Sequence, residues 1–215
     1  MLSRAPRGIR VRNGTSYAKI ERATSRVRRV LLPRASVTSA IPGVELFERL
    51  DNYRVRVSGK LVGLCHDVRA LSPGVEACTL YHRAHDRIHL TLSERTYHRL
   101  ERGHPRARFT LGHEIGHAVL HGVELLQQEL LHLRQHALAR GGPVHPHYLD
   151  SEWQADAAAS ALLMPAEGLE ELGRGRALSS KLIADVYGVS IEAATYRLQI
   201  FQQRRHELVV ASRNA

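Results

Sequence analysis

Arg108-Phe109-Thr110-Leu111-Gly112-His113-Glu114-Ile115-Gly116-His117-Ala118-Val119-Leu120-His121 is the stretch that decides how this chain is read. Residues four apart on a helix share a face, so His113 and His117 can direct both imidazoles at one metal ion. Glu114 lies one residue round from His113, close enough to hold a water at that ion. Pro105 suits the first turn of the helix, where its missing N–H costs nothing. Gly122 is the expected stop.

Two imidazoles need a third ligand, because catalytic zinc sites combine three protein ligands with one open position. His121 shares the face, but its distance from His113 is roughly 12 Å of helical rise. One ion at ~2.1 Å from each imidazole cannot span that. The three-histidine variant needs Gly and His where this chain has Leu120 and Val123. Glu152 fits instead. Ser151-Glu152-Trp153-Gln154 reads as a capping box with Ser151 as N-cap. It opens a helix to Leu163 that ends near Met164-Pro165. Asp156, one turn beyond Glu152, can accept the outer ring N–H of His113 or His117 and fix its tautomer.

The expected site is therefore His113, His117 and Glu152 as ligands, Glu114 as general base and Asp156 behind them. Such an ion lowers the pKa of its water towards ~7. Glu114 then takes the proton and passes it to the leaving amine of a peptide bond. Tyr148, His145 and His147, in the loop before Glu152, are candidate oxyanion donors, and the spacing does not choose among them. Zinc suits this ligand set, and manganese can also fill it. His82, His85, His89, His121, His132 and His136 read as surface or packing histidines, and Trp153 as a core anchor.

At 215 residues and 43% hydrophobic content the chain can bury a substantial core. Its net charge of +10 is unevenly spread. Residues 1–34 hold ten of the 31 Lys/Arg and one of the 21 acids, Glu21, leaving 21 bases against 20 acids elsewhere. Residues 1–40 are therefore expected to be a mobile basic tail. Such a tail can bind nucleic acid or an acidic partner by charge, serve as a solvated extension, or pass for a transit peptide. No apolar run is long enough to span a bilayer, and the N-terminus lacks the apolar core of a secretory signal. Cys65 and Cys78 are too few for a disulfide scaffold or a Cys-based zinc site. The expectation is a cytoplasmic protein with reduced thiols.

From Ile41 the composition turns globular. A short helix is expected over Val44–Leu50, then strands over Tyr53–Val57, Leu61–Leu64, Thr79–His82 and Ile88–Leu92, the last two a hairpin around Asp86. Together they predict a small, mostly antiparallel sheet before the metal-site helix, an α+β arrangement. Helical spacing recurs over Glu124–Arg140, and Gly168–Ala177 reads as a loop. Leu178–Gln203 reads as two short helices about Gly188-Val189-Ser190, a helix-turn-helix-like unit. The expected organisation is a tail (1–40), a peptidase domain (41–170) and a C-terminal helical unit (171–215).

Three blocks in order resemble the ImmA/IrrE family of bacterial metallopeptidases: Arg108-Phe109-Thr110 with His113-Glu114-x-Gly116-His117, then Glu152-x-x-Ala155-Asp156, then Leu162-Leu163-Met164-Pro165. Val189-Ser190 with Arg197-Leu198 is similar to the family's C-terminal helical segment. The resemblance covers about residues 45–203. It implies a zincin-like fold, zinc on His113, His117 and Glu152, and Glu114 as the catalytic residue. It also implies cleavage of a partner repressor of the Xre helix-turn-helix type, releasing stress-response or mobile-element genes. The chain departs from the family pattern in its long, histidine-rich segment between the first two blocks and in residues 1–40.

Two other functions use different features. Residues 178–205 could form a DNA-binding regulator, but the second helix opens Ser190-Ile191-Glu192-Ala193-Ala194, with no Arg, Lys, Asn or Gln in its first turn to read base edges. A toxin–antitoxin component could bind its partner without cutting it.

Overall fold

The computed structural model describes residues 8–127 and 145–215. The first long element is helix α1 (Tyr17–Leu31), capped by Ser16, whose hydroxyl accepts from the Lys19 amide. Residues 17–31 are thus an ordered helix rather than part of a mobile tail. Tyr17, Ile20, Thr24, Val27 and Leu31 recur at helical spacing, and Ile20, Val27 and Leu31 are buried. Charged residues of the same helix also bind distant parts of the chain, and two of them, Glu21 and Arg28, are buried. Arg28 donates to the carbonyls of Leu162 and Ser36, and Arg29 to those of Ser212 and Arg213. Ahead of α1, Arg10 makes an antiparallel bridge with Asp150, and the Ile9 amide donates to Ser151 Oγ.

Helix α2 (Gly43–Glu48) leads to a four-stranded sheet: β1 (Arg54–Val57), β2 (Lys60–Arg69), β3 (Ala77–His82) and β4 (Arg87–Ser93). The spatial order is β1-β2-β4-β3. Two pairings are antiparallel, while β2 and β4 run parallel, so the sheet is mixed. Ser58 and Gly59, both at positive φ, close the β1–β2 hairpin. β3 is left at one edge.

Helix α3 (Glu94–Glu101) follows β4, and α4 (Pro105–Leu120) carries the His113–His117 segment. Pro105 opens α4 as expected, but Gly122 is not the stop. His121 caps α4, and Gly122 begins a short helix α5 (Gly122–Leu126). The rest of the expected 124–140 helix lies outside the described residues.

Helix α6 (Ser151–Leu163) packs along α4. Its N-cap is Asp150 rather than Ser151: Asp150 Oδ1 accepts from the amides of Glu152 and Trp153. A carboxylate is the stronger acceptor for these amides, and Ser151 Oγ is engaged by Ile9. Gln154 does not reach back to complete a capping box; it turns towards α4. Small residues set the separation of α4 and α6. A Cβ added at Gly116 would fall 2.9 Å from Ala158 Cβ and 3.1 Å from Ala155 Cα. One at Gly112 would fall 3.1 Å from Ala159 Cα. Close approach of these backbones puts the two halves of the site within reach of each other.

Helix α7 (Ala166–Leu172) occupies part of the expected 168–177 loop. Gly168 is there for packing, since a side chain would collide with the Val37 carbonyl. Helices α8 (Ser180–Tyr187) and α9 (Ile191–Arg213) meet at Gly188, in left-handed conformation, with Ser190 capping α9. The second helix runs ten residues beyond its expected end at Gln203, with a kink at Arg204. α9 packs against α1, α7 and α8. No helix among the described residues is long and apolar enough to cross a membrane.

Candidate metal centre

α4 presents His113 and His117 one turn apart, and the first turn of α6 presents Glu152. His113 Nε2 lies 3.3 Å from Glu152 Oε2, and His117 Nε2 lies 3.4 Å from Glu152 Oε1. The two Nε2 atoms are 3.0 Å apart. One donor atom from each residue falls within 4.8 Å of the others, and no other such group of three occurs among the described residues. The residues read from the spacing as ligands therefore meet at one point.

The outer ring nitrogens decide what the inner ones can offer. Gln154 Nε2 donates to the Tyr148 carbonyl at 2.8 Å, which turns Gln154 Oε1 towards His121 Nε2, 3.0 Å away. His121 Nε2 must then carry its proton, leaving Nδ1 as an acceptor. His117 Nδ1, 2.9 Å from that atom, is consequently the donor. The lone pair of His117 is left on Nε2, facing Glu152 and His113. On the other histidine, Nδ1 lies 2.9 Å from Asp156 Oδ1 and donates to it. Both imidazoles thus aim Nε2 inward, with outer partners of the kind that orient metal-ligating histidines.

Asp156 contacts His113, one of the two rings that its helical spacing offered it. His121 does more than pack: it is fully buried and positions His117. Its spacing of four from His117 was the available signal. Thr79 of β3 had no local signal. Its hydroxyl lies 2.7 Å from Glu114 Oε2, bringing sheet and helix together at that carboxylate. His145 lies against Asp150 at 3.3 Å, His147 is edge-on to Trp153, and Tyr148 is exposed.

Burial pushes His117 down to about 3 and His121 down to about 4, so both are neutral at pH 7. His113 behaves oppositely. Burial disfavours its charge, but hydrogen bonds to Asp156 and Glu152, with the charges of Glu114 and Glu152, outweigh that and raise it to about 9. Glu152 is held well below the usual carboxylate range, since the two histidines overcome the opposing effect of burial. Two imidazoles and an ionised carboxylate with converging lone pairs suit a zinc-class divalent ion.

A pH effect follows. In the ion-free protein, the protonated His113 contributes stability that is fully present below 6.5 and is lost as pH rises through about 9. An ion must displace that proton. Affinity should therefore rise about tenfold per pH unit up to about 9 and then level off. Competition with a chromophoric chelator across that range measures it; an affinity flat between pH 7 and 9 would contradict the assignment.

An α+β fold with two histidines from one helix and a carboxylate from a second helix packed along it is an arrangement that suits a metallopeptidase. The family comparison agrees: residues 99–199, just under half of the chain, match Peptidase_M78, the IrrE N-terminal-like domain. That match supports an ImmA/IrrE family metallopeptidase. The match includes His113, Glu114, His117, Glu152 and Asp156, while α1 and the sheet lie outside it. No curated protein matches the chain.

Proposed function

We propose that this protein is a zinc-dependent endopeptidase that cleaves a partner repressor of the Xre helix-turn-helix type, releasing stress-response or mobile-element genes. The observation that carries the reading is the convergence of His113, His117 and Glu152 beside Glu114, in a chain of this family. His113 Nε2, His117 Nε2 and a Glu152 oxygen would hold the ion, with zinc preferred and manganese able to replace it. A divalent ion there supplies Lewis acidity, polarising the peptide carbonyl and lowering the pKa of water.

The protein's own groups do the rest. Glu114 takes a proton from the attacking water and delivers it to the leaving amine. Thr79 fixes the plane of that carboxylate through Oε2. Asp156 and His121 keep the two rings in their inward tautomers. β3 is an edge strand lying over α4, so an extended peptide can pair with it and run past Glu114. His147 and Tyr148, both exposed beside α6, are the candidate oxyanion donors, whereas His145 is turned towards Asp150.

The test is to incubate the zinc-loaded protein with the Xre-type repressor encoded beside it. Cleavage at one position is expected, stopped by a chelator and restored by added zinc. Stable binding without cleavage under all metal conditions would favour the non-cutting partner function, and DNA binding by the isolated protein would favour a regulator.

A further inference from the structure

The sheet has a second face, turned away from α4, and it carries a histidine cluster that the peptidase reading does not use. Thr79 points towards Glu114. Side chains alternate along a strand, so Leu80 and His82 share one face of β3, opposite to that of Thr79. His89 of β4 sits directly across from Leu80 and shares that outer face. His85 belongs to the turn between the two strands.

The three rings form a compact group. Their centroids are 4.6 Å apart for His82–His85, 5.1 Å for His82–His89 and 5.9 Å for His85–His89. Three imidazoles bound to one ion at ~2.1 Å, in tetrahedral directions, have centroids about 5 Å apart. The observed spacing brackets that value. The donor nitrogens are spread more widely than the 4.8 Å of the group around Glu152. His82 and His85 are exposed, so turning their rings inward displaces no packed side chain.

Two further observations favour a ligand here. His89 Nε2 is buried and has no hydrogen-bond partner, an exception among buried polar atoms that calls for one. The turn is also held in shape. Asp86, at positive φ, accepts from Tyr81 Oη at 2.6 Å and pairs with Lys60 Nζ at 2.6 Å. Burial, followed by the nearby His82 and His85, pushes His89 below its ordinary value. Its lone pair is therefore available at neutral pH.

We propose that His82, His85 and His89 form a second site for a divalent transition cation of the zinc, nickel or copper class, separate from the His113–His117–Glu152 centre. A donor set of imidazoles alone selects these ions over magnesium and calcium. Its occupation ties the hairpin turn to β4 and stiffens β3, the strand whose opposite face holds Glu114. The proposal does not depend on the peptidase reading.

Equilibrium dialysis of the full, untagged chain against Zn2+, with metal measured per protein, tests it. Wild type should bind two ions. The His82→Gln/His85→Gln variant, altered only at exposed positions, should bind one and keep the wild-type circular dichroism spectrum. His113→Gln/His117→Gln should also bind one, and adding the His82 and His85 changes to it should remove that ion. A His82→Gln/His85→Gln variant that binds as many ions as the wild type overturns the second site, as does a wild type whose single ion is lost in His113→Gln/His117→Gln. Loss of the Glu152-centred ion alone would instead count against the peptidase centre.

Discussion

Glu114→Gln should leave the metal content unchanged and reduce peptide cleavage by about 10²–10⁴-fold, the usual contribution of a positioned general base. The substitution preserves shape. Glu114 is 5% exposed, lodged between α4 and β3, and Gln can still accept the Thr79 hydrogen bond at the position of Oε2. Its neighbours His113 and His117 reach the ion position through Nε2 and are oriented from outside by Asp156 and His121. None of those contacts is altered, so ion binding should persist. What the amide lacks is a basic oxygen to take and return a proton. Metal analysis and the cleavage rate of the repressor, measured on the same preparation, separate the two effects. Cleavage at the wild-type rate by Glu114→Gln would remove Glu114 from the mechanism. Loss of metal together with activity would mean that Glu114 helps to hold the ion.

The site was legible because its signals are local in sequence. The four-residue spacing of His113 and His117, and that of Glu152 and Asp156, each follow from the helical repeat. What joins the two pairs is less visible. The α4–α6 approach depends on Gly112, Gly116 and the alanines of α6, whose small size reads in one sequence only as good helix composition. Thr79 lies 35 residues from Glu114 and meets it across the sheet–helix interface, a contact no periodicity encodes. Ser151 carries a cap signature by residue type, but Asp150, one position earlier, takes the Glu152 and Trp153 amides and starts the helix instead. The largest departure is α1. Its inward stripe is regular, but arginines dominate its composition, and composition suggested mobility. Arg28 and Glu21 belong to the buried face because each finds partners far along the chain, which the sequence could not supply.

Glu21→Ala should destabilise the protein by about 3–5 kcal/mol, the cost of leaving a buried charge without its partner. Glu21 is 0% exposed and Arg197 is 2% exposed, and their closest atoms are 2.7 Å apart. The pair joins three elements. Glu21 Oε1 accepts from the Ala166 amide at 2.7 Å, and Arg197 Nε donates to the Met164 carbonyl at 2.8 Å. Both backbone groups flank Pro165, where the chain turns from α6 into α7. The same turn contains the Leu162-Leu163-Met164-Pro165 block, and Arg197 belongs to the C-terminal block. Two stretches that looked separate in the sequence are thus parts of one buried junction, closed by a residue of α1. At about 2–4 °C per kcal/mol for a chain of this size, the melting temperature should fall by roughly 6–20 °C. Replacing both partners, as in Glu21→Leu with Arg197→Met, should recover much of that loss, because no uncompensated charge remains. Denaturant and thermal unfolding of the wild type and the two variants decide the matter. A single Glu21→Ala change costing under about 1 kcal/mol would show that the junction is held by apolar packing, with the ion pair a passenger.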